Sequence, residues 1–442
     1  LTSKGLSLLA ENDSLLPMTD PATLAEFIKW SKKNYPADRY DLIFWDHGGG
    51  SASGYGYDEV YKNSGSMTLD KIGDALKAGG CTFDFIGFDA CLMATLETAL
   101  VCEPYADYLI ASEETEPGIG WYYTNWLTKY SRDPSMQTIS IGKNIVDDFV
   151  NTCAKNTPGQ QATLSVIDLA EVAGDVPESF KAFAASTNEM IRGDSYKTVA
   201  SARANTKEFA RSSKIDQVDL IHLAKNIGSS EAKAFANVLT SAIKYNLTSK
   251  GVSNAYGISI YFPYGKMGTA GKILQTYEKI GLDPSYSDCV KSFASLEVGG
   301  QAYGGGYSGQ MDSLFNSLFG TVSSGSGSTS GDLAAQLFTS LLSGRSLEQF
   351  DLDEDNADFL DTALLEEKKE ELAAGIIDQS QLIWQKKGTA NVIPLSEDQW
   401  SNLSNIELNV FVDDGEGYID LGLDNIYDFD EQGNLLGDYD NT

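Results

Sequence analysis

An α/β fold built on a largely parallel sheet, followed by a small acidic C-terminal domain of α+β or β-rich character, is what this sequence predicts. Three observations carry that expectation. Over the first three hundred residues, apolar strand-like runs alternate with amphipathic helical stretches. Residues 299–331 then become rich in Gly and Ser, the composition of a flexible linker. Beyond them, residues 332–442 hold 26 of the 63 acidic residues but only 5 of the 32 basic ones, so the chain has two differently built parts. The expected domains are 1–298, the linker 299–331, and 332–442.

Taken in order, TLAEFIKWSKKN reads as a helix, YDLIFW as a buried strand ending before Asp46, and TLDKIGDALKAGG as a helix closed by glycines. FDFIGFDA is the next strand, and the spacing of CLMATLETAL predicts a helix starting at once, at Cys91. YLIASE, TLSVIDL and YGISIYF, rich in β-branched and aromatic residues, are further strands. In the acidic part, EDNADFLDTALLEEKKEELAAG has helical spacing, and the segment from Ile406 onward reads as short strands joined by Gly-Asp turns. It stops without a turn or cap, as though strands were missing. The chain shows no clear internal repeat.

The composition excludes several classes. A net charge of −31 repels phosphate backbones and anionic membrane surfaces, so nucleic acid is not an expected partner. No run approaches the roughly 20 apolar residues of a membrane span, and the chain opens on Leu1 without a signal-peptide pattern. Five scattered cysteines (Cys81, Cys91, Cys102, Cys153, Cys289) do not form a disulfide framework, and their odd number leaves a free thiol. With only two histidines, a zinc site is not expected.

One of those histidines, His47, stands in FWDHGGGSASGYGYDE at the carboxyl end of a strand, and Cys91 stands at the end of another. In an open parallel sheet the functional crevice lies beyond those ends. One βαβ crossover links the two residues, so their strands can be neighbours. A thiol in the first turn of a helix is biased toward thiolate, and an imidazole across the crevice can exchange protons with it. Cys91 and His47 therefore have the placement of a nucleophilic dyad, and the amides of Gly48 and Cys91 can hold an oxyanion. Against this stand plain readings: a lone Cys after a strand is often a small buried hydrophobe, and HGGG also occurs as a lipase oxyanion motif. The lipase reading fails, because no G-x-S-x-G elbow exists and the last histidine, His222, lies on a helical pattern that suits a structural role.

WDHGGG, FDACLM and ASEETEPGIGWYYTNWL together resemble the clostripain-like cysteine peptidases, over about residues 18–298. The separation of 44 residues from His47 to Cys91 is close to the roughly 50 of the caspase order. The resemblance implies a caspase/gingipain-like α/β/α sandwich and a secreted or cell-surface bacterial endopeptidase with His47 and Cys91 as its dyad. Such domains normally begin with a further strand upstream, so the chain is expected to be truncated or processed at its N-terminus.

Asp89 precedes Cys91 by two residues, so by strand alternation both side chains face one side. An acid there can pair a substrate Arg or Lys, a preference to which the resemblance also points; alternatively Asp89 caps the helix expected at Cys91. Glu113, Glu114 and Glu116 are rival pocket acids, and Trp121, Tyr122 and Tyr123 line either the cleft or the core. The patternless stretch from His47 to Met67 carries one basic residue, Lys62, a candidate for self-cleavage after which the two pieces stay associated. No cofactor is expected. The resemblance leaves room for calcium, yet DLDEDNADFLDT lacks the Gly and Glu of an EF-hand loop. The rival function is an inactive, peptidase-like adhesion module.

Overall fold

Aromatic and β-branched residues in DLIFW and FDFIGFD favour extended backbone. Both runs are strands in the computed structural model, which describes residues 8, 10–11, 16–265, 267–304, 359–374, 383–388, 390–396, 399–400, 408–413, 418–424, 428–429 and 435–437. They are β1 (Asp41–Trp45) and β2 (Phe83–Asp89), paired in parallel. β3 (Ala106–Ala111) continues the parallel set, whereas β4 (Thr163–Asp168) runs antiparallel to β3. β5 (Glu208–Phe209) and β6 (Gln217–Asp219) belong to another sheet. β7 (Ile243–Thr248) is antiparallel to β4 and completes the order β1-β2-β3-β4-β7. Four strands of this sheet thus share one direction and β4 alone is reversed. The expected strand in YGISIYF is β8 (Ser259–Tyr261), but it pairs with β6 in the order β5-β6-β8. It meets the connection after β2 through a parallel bridge from Ser259 to Thr95 and the Ser259 amide, which donates to the Ala94 carbonyl at 2.8 Å.

The layers follow from alternation along the strands. On one face Phe85 and Ile110 meet Trp121, Trp126, Ile145, Val146 and Phe149, covered by helices Tyr123–Arg132 and Thr138–Asn156. Each fully buried phenylalanine there contributes about 1.5–3 kcal/mol. On the other face Phe44 stacks on Phe88, ring centroids 4.6 Å apart. Helix Pro21–Asn34 opens with Asp20 accepting the Ala22 amide and with proline in its first turn. It packs by Ile28 against Gly79 of helix Leu69–Gly79.

One element departs from expectation at the place that matters. The helix after β2 spans Leu96–Cys102 and is capped by Thr95, whose Oγ1 accepts the Thr98 amide at 3.0 Å. Cys91 is therefore not in the first turn of a helix, and Asp89 caps none. Thr95 supplies the N-cap because its short side chain reaches back to the third helical amide. Residues 91–94 form instead a connection in which Leu92 adopts φ 68°.

The chain divides into two units, Leu1–Ser186 with Thr206–Ser287, and Thr187–Asn205 with Asp288–Thr442, a division that cuts across the expected boundary at 298. Helix Pro284–Gly304 extends into the segment read as linker, and residues 305–331 lie outside the described ones. Asp361 caps helix Thr362–Glu367 and pairs with Arg192 at 2.6 Å. The expected acidic helix is there as Thr362–Glu367 and Lys369–Ala374. The expected strands include the antiparallel pair Leu408–Asp413 and Tyr418–Asp424.

Candidate active site

The register of the sheet brings the two sequence-distant halves together. Trp45 of β1 stands opposite Asp89 of β2, so two residues further along each strand are His47 and Cys91. The chains stay in contact beyond the strands: a Cβ added to Gly48 would lie 2.0 Å from the Cys91 carbonyl oxygen and 2.9 Å from its N and carbonyl C. Only glycine permits that approach. His47 is exposed and Cys91 half-buried. The Asp46 carboxylate accepts the His47 amide at 2.6 Å and the Tyr57 amide at 3.1 Å, while the Gly56 amide donates to the His47 carbonyl at 2.8 Å. The loop that looked patternless is thus folded on itself, with a helical turn at Gly50–Ser53 and bridges Gly48 to Tyr55 and Tyr55 to Met67.

The loop after β3 closes the other side. The Glu116 amide donates to Cys91 Sγ at 3.2 Å. Asp89, 4% exposed, accepts the Trp121 amide at 3.1 Å and the Tyr123 hydroxyl at 2.9 Å. Burial raises its pKa above the usual carboxylate range despite those donors. Glu116 accepts from Trp121 Nε1 at 3.3 Å, and burial, followed by the charge of Asp89, pushes its carboxyl well above that range. Its buried Oε2 has no hydrogen-bond partner among the described residues. The structure therefore gathers His47, Gly48, Cys91, Asp89 and Glu116.

Other candidate residues have different surroundings. Glu114 Oε1 accepts the Ala210 and Thr115 amides at 3.0 and 2.9 Å, and Oε2 lies 3.7 Å from Lys207 Nζ, so it braces the loop. Glu113 is buried beside Asp219 and accepts the Gly257 amide; burial and that neighbour raise it well above the usual range. The Trp121 indole lies in the core over Gly87. His222 accepts the Lys207 amide at Nδ1, and burial lowers its pKa, as suits a neutral structural imidazole. Lys62 is exposed in the turn Lys62–Ser64.

A profile of the clostripain family matches residues 7–288. The chain belongs to the clostripain family. Clostripain from Hathewaya histolytica is 35% identical over 123 residues, a match spanning 24% of this chain and 23% of that protein. The chain is thus aligned with less than a quarter of that relative. Among solved clostripain-family structures, a secreted C11 cysteine protease from Bacteroides thetaiotaomicron in complex with an irreversible peptide inhibitor is 21% identical. It aligns over 60% of this chain and 78% of its own, with a TM-score of 0.44. An inactive zymogen C11 protease from Parabacteroides distasonis is 22% identical over 64% and 79%, with a TM-score of 0.45. No described helix is long and apolar enough to cross a membrane. Among the described residues no group of three or more His, Cys, Asp or Glu is placed to hold a metal ion, and residues 351–358 lie outside them.

Proposed function

We propose that the chain is a secreted or cell-surface bacterial cysteine endopeptidase that cleaves after Arg or Lys. The observation that carries this reading is the close approach of Gly48, the residue after His47, to the Cys91 backbone. His47 takes the thiol proton as Cys91 Sγ attacks the scissile carbonyl carbon, and the amides of Gly48 and Cys91 receive the oxyanion. Collapse breaks the C–N bond, and the His47 imidazolium returns the proton to the departing amine. Water then hydrolyses the thioester, with His47 as base. Membership of the clostripain family and the name of the Hathewaya relative support the chemistry.

The basic preference rests on Asp89, buried at the end of β2 two residues before Cys91, with the half-buried Glu116 of the loop after β3. A cationic side chain reaching them pairs with both carboxylates. Asp89→Asn is expected to lower kcat/KM for Arg and Lys peptides by about 2–4 kcal/mol, the scale of losing one partner of a buried charge pair. Peptides with a neutral residue at that position should lose much less. Assaying short Arg, Lys, Ala and Asp peptides on both proteins tests this, and equal losses across the panel would reassign Asp89 to holding the Trp121 loop.

Self-cleavage after Lys62 belongs to the same proposal. On one side of that bond Asp58 accepts the Met18, Val60 and Tyr61 amides; on the other, Thr19 and Ser64 hydroxyls meet at 2.7 Å. Residues 18 and 19 thus hold both new ends, and β1 and β2 keep the pieces in one sheet. Intact-mass analysis of wild-type protein at neutral pH should show a fragment ending at Lys62, absent from Cys91→Ala and Lys62→Ala. Fully active wild type uncut at this bond would remove cleavage there as an activation step.

A further inference from the structure

We infer that Gln217, remote in sequence from both motifs, is a positioning residue for the nucleophile. The inference rests on the Cys91–His47 reading and extends it to a group that touches neither reacting atom. Leu92, immediately after Cys91, has φ 68°. For a leucine that left-handed backbone is strained and persists only where surrounding contacts hold it. Its amide donates to the Glu114 carbonyl at 3.2 Å, and its carbonyl accepts from Gln217 Nε2 at 2.9 Å.

Gln217 is fully buried, and its orientation is chemically fixed. Nε2 also donates to Ser259 Oγ at 2.9 Å, and that hydroxyl spends its own proton on the Ala94 carbonyl at 2.8 Å. Two acceptors therefore face the nitrogen, and a reversed amide would set oxygen against oxygen at Leu92. Among the described residues Oε1 has no hydrogen-bond partner, and it faces the histidine loop, 2.0 Å from where a Cβ on Gly50 would stand. That same Cβ would lie 2.9 Å from the Leu92 carbonyl oxygen. One amide thus gauges both loops: its nitrogen holds the turn carrying Cys91, and its oxygen abuts the glycines following His47. β6 anchors it, with Gln217 opposite Tyr261 of β8 and Phe209 of β5.

The test uses the full chain with Gln217→Met, which keeps length but donates nothing. On an Arg peptide, kcat per site titrated by an irreversible thiol reagent should fall about 10- to 100-fold, the scale of an ångström's misplacement. KM should stay within about twofold. Alkylation of Cys91 by iodoacetamide should slow about tenfold. A role confined to stability would lower the melting temperature and leave kcat per titrated site unchanged, which overturns the inference. Should Gln217→Met not accumulate folded, Gln217→Asn, which withdraws the amide by one methylene, is expected to show the same kcat loss, and wild-type kcat there overturns it equally. If the wild-type chain cuts no basic peptide, the proposed function fails while alkylation still decides the role of Gln217: slowing supports it and an unchanged rate refutes it.

Discussion

Replacing Cys91 with alanine is expected to lower kcat on basic peptides by on the order of 10⁴-fold or more, the scale of removing a covalent nucleophile. The fold should survive. The half-buried thiol is held by one amide, from Glu116, so its removal leaves no large cavity. The other four cysteines provide the contrast. Cys81, Cys102, Cys153 and Cys289 are buried, and burial raises each thiol pKa, so their alanine variants should lose stability while retaining kcat. His47→Ala should match the Cys91→Ala loss and also slow alkylation of Cys91; exposure alone makes Cys91 the most reactive thiol, so only dependence on His47 identifies the dyad. The measurement is turnover per folded molecule, checked by circular dichroism. Activity persisting in Cys91→Ala would overturn the mechanism.

The parallel pairing of β1 with β2 was legible because both are short runs rich in aromatic and β-branched residues separated by one amphipathic helix, which leaves few alternatives to a parallel crossover. β7 was not. IKYNLT follows its helix without a turn residue, and its half-buried pattern is that of a strand at the sheet edge. The reversal of β4 is a property of where the chain returns after two helices, and strand composition does not encode it. Helical spacing in CLMATLETAL was real but started too early, because Thr95 caps the helix while Gln217 and Glu114 hold Leu92 in a left-handed turn. Those contacts come from distant segments, which periodicity cannot see. For the same reason Glu114 and Glu116, alike in sequence, diverge in space: one faces Lys207 and backbone amides, the other Asp89.

Gly48→Ala is expected to cost about 10²- to 10³-fold in kcat, more than any other single methyl group added near the site. All three atoms its Cβ would meet belong to the Cys91 backbone, the nearest at 2.0 Å, so no side-chain rotation relieves the clash. Ordinary contact lies beyond 3.4 Å, and restoring it must push the His47 loop and the Cys91 turn apart by an ångström or more. That displacement acts twice. It separates the imidazole from the thiol, where such an error costs about 10²-fold. It also moves the two oxyanion amides relative to each other, and losing one such donor costs about 10²–10³-fold. Because both amides serve one transition state, the losses overlap and do not multiply. Two nearby glycines serve as controls. At Gly49 the nearest obstacle is Ser53 Cβ at 2.6 Å, which moves only with the Gly50–Ser53 turn and leaves the Cys91 backbone untouched, so a smaller loss is expected; Gly118 has nothing within 4 Å, and its alanine variant should stay within about twofold of wild type. Steady-state kinetics on the three variants, each checked for its melting temperature, decides the matter. A Gly48→Ala enzyme as active as Gly118→Ala would mean that the two backbones do not meet as described, and the Cys91–His47 assignment would lose its geometric support.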